Sequence, residues 1–154
     1  MHSTRPNLIA VRKLKESGLR PTRQRVALAR LLLETGPRHV TAEELFQDAR
    51  VAGIPVSLAT VYNTLHQFTA AGLMTEVVAG SGQSYFDTNP SSHYHYFDKS
   101  TGEIIDVPEG VIEFLRLPEP PPGKVIDRID VVVRIRSAQP RTAAQRPAPS
   151  PDPA

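Results

Sequence analysis

The 154-residue chain contains no cysteine and no tryptophan. Without cysteine there is no disulfide and no thiolate metal site, so any transition metal must be held by imidazole and carboxylate groups. That fits a reducing compartment. No apolar run approaches the roughly 20 residues needed to span a bilayer. The opening stretch "MHSTRPNLIAVRKLKESG" lacks the apolar core and cleavage site of a secretory signal, and a cytoplasmic location is expected. There is no glycine-rich phosphate cradle and no Ser/His/Asp arrangement, so the sequence does not read as an enzyme.

What is present is globular, with 40% hydrophobic and 22% charged residues. The net charge of +2 conceals an asymmetry. Residues 1–72 carry ten Lys and Arg against five Asp and Glu, whereas residues 73–136 carry six against ten. A basic first half suits a polyanion such as nucleic acid, and an acidic second half with histidines suits cations.

The first half reads as helical. "NLIAVRKLKESG" sets Leu8, Val11 and Leu14 on one face before Gly18, and a second helix after Thr22 carries Val26, Ala29, Leu32 and Leu33. "TAEELFQDARVAG" predicts a third, with Thr41 and Glu44 as a capping box and Gly53 past its end. "SLATVYNTLHQFTAAG" predicts a fourth, capped by Ser57, with Leu58, Val61, Leu65 and Phe68 as its apolar stripe and Gly72 as its stop. "LMTEVV" and "SYFDT", separated by a glycine-rich tip, form a hairpin. The expected fold is mixed α/β: a winged helix-turn-helix over residues 1–88, then a small α/β dimerisation and effector domain over 89–136. That second domain holds strand candidates at Tyr94–Lys99 and Glu103–Val107, a short helix from Pro108 and a last strand in "VIDRIDVVVRIR". Residues 137–154 are Pro/Ala-rich, and disorder is expected there.

On the fourth helix, the stripe leaves Thr60 and Asn63 on the opposite face, with Ser57 at the leading end and Tyr62 at the border. Thr methyls can touch thymine and Asn can pair with adenine in a major groove about 12 Å wide. Lys13, Lys15, Arg20, Arg23 and Arg25 surround this helix as candidate phosphate contacts, and the wing tip is placed to reach a neighbouring groove. The expected partner is double-stranded DNA with a pseudo-palindromic operator. "RIDVVVRIR" is apolar enough to pair across a two-fold axis, which implies a homodimer and leaves a tetramer open.

"SSHYHYFDKSTGEIID" sets His93 and His95 on one side of a strand, about 6.6–7 Å apart at the backbone. Two imidazoles at that spacing can converge on one metal ion. A His-x-His strand also occurs in cupin-type metalloenzymes, but residues 91–136 offer about three strands where a jelly roll needs eight.

"GLRPTRQRVALARLLLE", "HVTAEELF", "SLATVYNTLHQFTAAGLM", "YFDT" and "HYH…GEIIDVPEGVIE" resemble the ferric uptake regulator family over roughly residues 8–136. "TVYNTLHQF", "IIDVPEG", "LPEPP" and "RIDVVVRIR" most resemble its iron response regulator branch. The resemblance implies a regulatory metal site of His39, Asp87, His93, His95 and Asp106, suited to Mn, Fe or Zn. It also implies a haem- and metal-responsive regulator of iron and haem genes, with His93 or His95 as the haem ligand; a DNA-binding dimer that responds to metal alone is the alternative. Asp98 and Thr101 stand where the family places a cysteine pair, so no structural zinc on cysteine is expected. A second family metal site matches Ser92, Tyr94, Glu113 and Asp127, a set without histidine. The His-x-His motif is expected on a surface strand that folding does not need.

Overall fold

The computed structural model describes residues 4–138 apart from Thr35, Ser81 and Ser92. Residues 139–154, most of the tail expected to be disordered, lie outside the described residues. Four helices come first: α1 (Thr4–Glu16), α2 (Arg23–Glu34), α3 (Ala42–Val51) and α4 (Leu58–Ala70), with the two-residue strand β1 (His39–Val40) between α2 and α3. The hairpin follows as β2 (Thr75–Ala79) and β3 (Gln83–Asp87).

The predicted caps form. The Thr41 hydroxyl accepts from the Glu44 N–H at 3.1 Å and the Glu44 carboxylate accepts from the Thr41 N–H at 2.8 Å, so two otherwise unpaired donors at the start of α3 satisfy each other. Ser57 caps α4 by accepting from the Thr60 N–H at 3.1 Å. Val61, Leu65 and Phe68 of α4 meet Leu45 of α3, Leu28 and Leu32 of α2, Ala10 and Leu14 of α1, and Phe86 of β3 in one core. Burying a side chain such as Phe68 or Phe86 contributes on the order of 1.5–3 kcal/mol. The face of α1 is rotated from the expected one: Ala10 and Leu14 are buried, whereas Leu8 is 63% exposed.

The wing has three strands where two were expected, in the order β1-β3-β2 and antiparallel throughout. Successive residues of β3 face opposite ways. Phe86 enters the helical core, while Tyr85 joins a second cluster with Val77, Ala79 and Ile104, packed by Phe97 and Val132. One side of the wing tip is therefore covered rather than free: a methyl at Gly80 would come within 2.9 Å of the Phe97 ring.

The second half contributes β4 (His95–Asp98), β5 (Ile104–Asp106) and β6 (Val132–Ile135) in the order β5-β4-β6, with β6 parallel to β4. The helix expected from Pro108 does not form. Glu109 and Gly110 make a turn, and Gly110 takes φ +75°, a left-handed conformation that stops a helix after its first residues. Val111, Phe114, Leu115 and Leu117 are exposed on the segment that carries the chain from β5 to β6. Among the described residues the second half is built of strands alone.

Candidate functional site

The two sheets meet through histidines and aspartates. In the first sheet His39 of β1 lies opposite Asp87 of β3, and in the second His95 of β4 lies opposite Asp106 of β5. His93, two residues before His95, adds a third imidazole. Asp87 falls on the side of β3 turned away from the helices, so its carboxylate enters the seam between the sheets.

Three imidazole nitrogens converge there on two carboxylate oxygens. Asp87 Oδ2 lies 3.1 Å from His39 Nε2, 2.8 Å from His93 Nε2 and 3.1 Å from His95 Nε2. Asp106 Oδ1 lies 2.8, 3.0 and 3.5 Å from the same three atoms. All five residues offer a ligand atom within 4.8 Å of the others. Asp87 and His95 are buried, and the His93 side chain is only 6% exposed. That corrects the expectation of a surface strand: the wing covers these histidines from one side.

The supporting contacts aim the donors inward. His93 Nδ1 is 2.7 Å from the Ser91 carbonyl, so an N–H there donates to the carbonyl and leaves the Nε2 lone pair directed at the cluster. Asp87 Oδ1 accepts the Asn89 N–H at 2.8 Å, which orients Oδ2 toward the histidines. His39 Nε2 is buried within ion-pair reach of both carboxylates yet is off the line of a hydrogen bond to either. Divalent first-row ions with bonds of about 2.0–2.2 Å hold neighbouring ligand atoms roughly 3.0–3.5 Å apart. The observed spacings fit that shell, and three nitrogens with two carboxylates match the preference of Mn(II), Fe(II) or Zn(II).

The charges are mutually tuned. Burial pushes the His39 and His93 imidazolium forms down; for His39 the Asp87 and Asp106 carboxylates outweigh this, and for His93 the Ser91 carbonyl and the same carboxylates do, so both pKa values end above the ordinary 6.5. Burial raises the Asp87 carboxyl, but the adjacent His39 and His95 imidazoles and the hydrogen bond from the Asn89 N–H hold it well below the usual carboxylate range. The raised histidines contribute stability that is complete below about pH 6.5 and is lost as pH rises through their folded values; Asp87 contributes stability above about pH 4 that is lost on further acidification. The metal-free protein is therefore expected to melt highest between about pH 4 and 6.5. Mn(II) affinity moves the other way, because imidazole must be neutral to ligate, and should begin to fall while the pH is still above 6.5. Calorimetric melting and Mn(II) titration across this range check both directions; an affinity flat down to about pH 5.5 would contradict the ligand set.

The residues expected to contact DNA are all on the helical half, on α1, α2 and α4 and the turns beside them. Asn63 is exposed on α4, with Tyr62 and Thr60 half-buried beside it and Ser57 exposed at its leading end. Ser57 and Thr60 share a hydroxyl contact of 2.9 Å, so both serve the cap as well. Lys13, Lys15, Arg20 and Arg23 are exposed. Arg25 is engaged instead: its Nε and Nη2 donate to Gln67 Oε1 at 3.2 and 3.0 Å and its Nη1 to the Arg20 carbonyl at 3.0 Å, which ties the start of α2 to α4. Sequence reasoning missed Gln67 in this link and the strand β1 that carries His39. Of the positions matched to a second metal site, Ser92 lies outside the described residues and Tyr94 packs its ring edge-on against Phe114.

A family model described as the ferric uptake regulator family matches residues 16–116. A peroxide-responsive repressor, PerR, of Staphylococcus aureus is 35% identical over 97 residues, which cover 63% of this chain and 65% of that protein, just under two thirds of the relative's length. The ferric uptake regulator of Pseudomonas aeruginosa, solved with manganese, superposes with a TM-score of 0.66 at 26% identity, covering 85% of this chain and 99% of the other. That of Vibrio cholerae superposes with a TM-score of 0.64 at 23% identity, covering 82% and 98%, a likeness of fold.

Proposed function

This chain belongs to the ferric uptake regulator family, and on that premise we propose that it is a metal-responsive, DNA-binding transcription regulator and not an enzyme. It acts in the cytoplasm as a homodimer on a pseudo-palindromic operator. The observation that carries the reading is the convergence of His39, Asp87, His93, His95 and Asp106, donors drawn from both sheets. Residues 1–88 are read as the DNA-binding domain and 89–136 as the dimerisation and effector domain. His39 and Asp87 belong to the first, and His93, His95 and Asp106 to the second. A bound Mn, Fe or Zn ion supplies two positive charges at the seam. His39 and Asp87 then hold the helical half at one angle to β4, β5 and the segment just before β4, which carry the other three ligands. In a dimer that angle sets the separation of two α4 helices, which must match successive major grooves about 34–36 Å apart.

On DNA, Asn63 and Tyr62 read bases, with Ser57 and Thr60 at the leading turn of α4, while Lys13, Lys15, Arg20 and Arg23 meet phosphates. Arg25 positions α4 through Gln67 and reaches the backbone only if that link opens. Asn63→Ala is expected to relax sequence preference by about 1–3 kcal/mol. Lys15→Ala should weaken binding to all duplexes and reduce the salt slope by about one. Fluorescence anisotropy on operator and random duplexes, with Mn(II) and with chelator, tests the whole reading. Equal loss on both duplexes for Asn63→Ala sinks the assignment of α4, and affinity indifferent to Mn(II) sinks the metal response.

The iron-response motifs "TVYNTLHQF", "IIDVPEG", "LPEPP" and "RIDVVVRIR" support a finer reading, in which the regulated genes serve iron and haem use and haem is an effector. His93 and His95 direct Nε2 into the metal cluster. Haem ligation by either one therefore withdraws a ligand from that cluster, and the two effectors oppose one another.

A further inference from the structure

Tyr62 is held at the surface of α4 from two sides. Its hydroxyl donates to Glu43 Oε1 in the first turn of α3 at 2.6 Å, and its ring stacks on His66 with centroids 6.5 Å and planes 21° apart. The Thr41–Glu44 capping box fixes the turn from which Glu43 projects. A carboxylate in the first turn of α3 suits the helix dipole, but beside a DNA-facing helix it repels phosphate, so affinity for DNA does not explain it.

A phenol has one proton to donate. Given to Glu43, it leaves the Tyr62 oxygen with lone pairs alone on the side that faces a groove. The hydrogen bond holds the Tyr62 phenol above its ordinary range and the Glu43 carboxyl below its own, so the proton stays on the phenol and points at the carboxylate at neutral pH. In the major groove the exocyclic amines of adenine and cytosine are donors, whereas thymine O4 and guanine O6 are acceptors. An oxygen that only accepts can pair with the first two and is repelled by the second two.

We propose that Glu43 is a specificity-determining positioning residue: by taking the Tyr62 proton it makes the helix select an adenine or cytosine amine at the base Tyr62 faces. The tyrosine thereby distinguishes A·T from T·A and C·G from G·C at one position. The inference rests on the reading of α4 as the base-reading helix.

Selection of bound sequences from a randomised duplex library, with the Mn(II)-loaded protein, separates the possibilities. Glu43→Ala frees the phenolic proton and Tyr62→Phe removes the oxygen, so each should flatten the preference at a single base pair by about three- to tenfold. Glu43→Gln retains a carbonyl that accepts the same proton and should keep the wild-type preference. Both Glu43 variants lose a negative charge and should bind all sequences somewhat more tightly. A wild-type preference in Glu43→Ala, with folding unchanged by circular dichroism, overturns the inference. So does an equal loss in Glu43→Gln, which assigns the effect to charge rather than to the acceptor. A wild-type protein that selects no sequence overturns the reading of α4 itself, and the inference falls with it.

Discussion

The double variant His93→Ala/His95→Ala is expected to lose Mn(II) affinity by at least about a hundredfold, because two of three imidazoles leave a set in which even supporting contacts are worth ten- to a hundredfold. Haem binding, where it uses this stretch, should vanish with it. DNA binding should then no longer respond to metal, while binding to random duplex at low salt persists through the lysines and arginines of the helical half. The helical core does not include either histidine. Both side chains are nonetheless nearly buried against Asp87, so the metal-free variant should melt below the wild type rather than level with it. Isothermal calorimetry with Mn(II), a haem titration by absorbance and a thermal melt give the three readouts. Wild-type metal affinity in the double variant would end the ligand assignment, and a chain that no longer folds would make these histidines structural.

Asp87→Ala should be the most damaging single substitution at the seam. The carboxylate is buried, faces three imidazoles through Oδ2 and closes the Asn89 turn through Oδ1. Removing one partner of a buried charge pair costs about 3–5 kcal/mol, since the remaining groups keep their desolvation and lose their compensation. Asp87→Asn separates the contributions. Its side-chain carbonyl can still accept the Asn89 N–H, but its charge is gone. It should therefore bind metal as poorly as Asp87→Ala, and its deficit should shrink at pH values high enough to make His39 and His93 neutral. Denaturant unfolding at pH 6 and 8.5 measures this. A loss under about 1 kcal/mol for Asp87→Ala would place its carboxylate in water rather than at the seam.

The parts of the fold that could be read from sequence are those in which a local signal and burial agree. Thr41, Glu44 and Ser57 announce α3 and α4 because a cap is a contact between residues three apart, needing nothing distant. Leu8 misled for the opposite reason. Spacing gives a stripe for α1, but only packing against α2 decides that Ala10 and Leu14 form its inner edge. The helix expected from Pro108 stops at Gly110, whose left-handed φ of +75° comes before the apolar residues that follow it. The strand β1 is two residues long and has no pattern of its own; it exists because β3 offers it an edge. His93 and His95 could be paired by strand geometry alone, whereas His39, Asp87 and Asp106 lie up to 67 positions apart in the chain and were reached only through family resemblance. Glu43 reads as one of many acidic residues favoured in a first helical turn, and nothing local marks its reach to Tyr62.

The alternation along β3 limits which changes of chain length this protein can accept. Tyr85, Phe86 and Asp87 serve, in turn, the cluster beneath the wing, the helical core and the seam between the sheets. Inserting or deleting one residue between the hairpin tip and Asp87 would exchange the two faces, sending a carboxylate into the helical core and a phenyl ring among the histidines. Length variants of the wing are thus confined to the glycine-rich tip, where an added residue enlarges the loop without reversing the strand. Three consecutive positions act as a single heritable unit, inherited in phase or lost together.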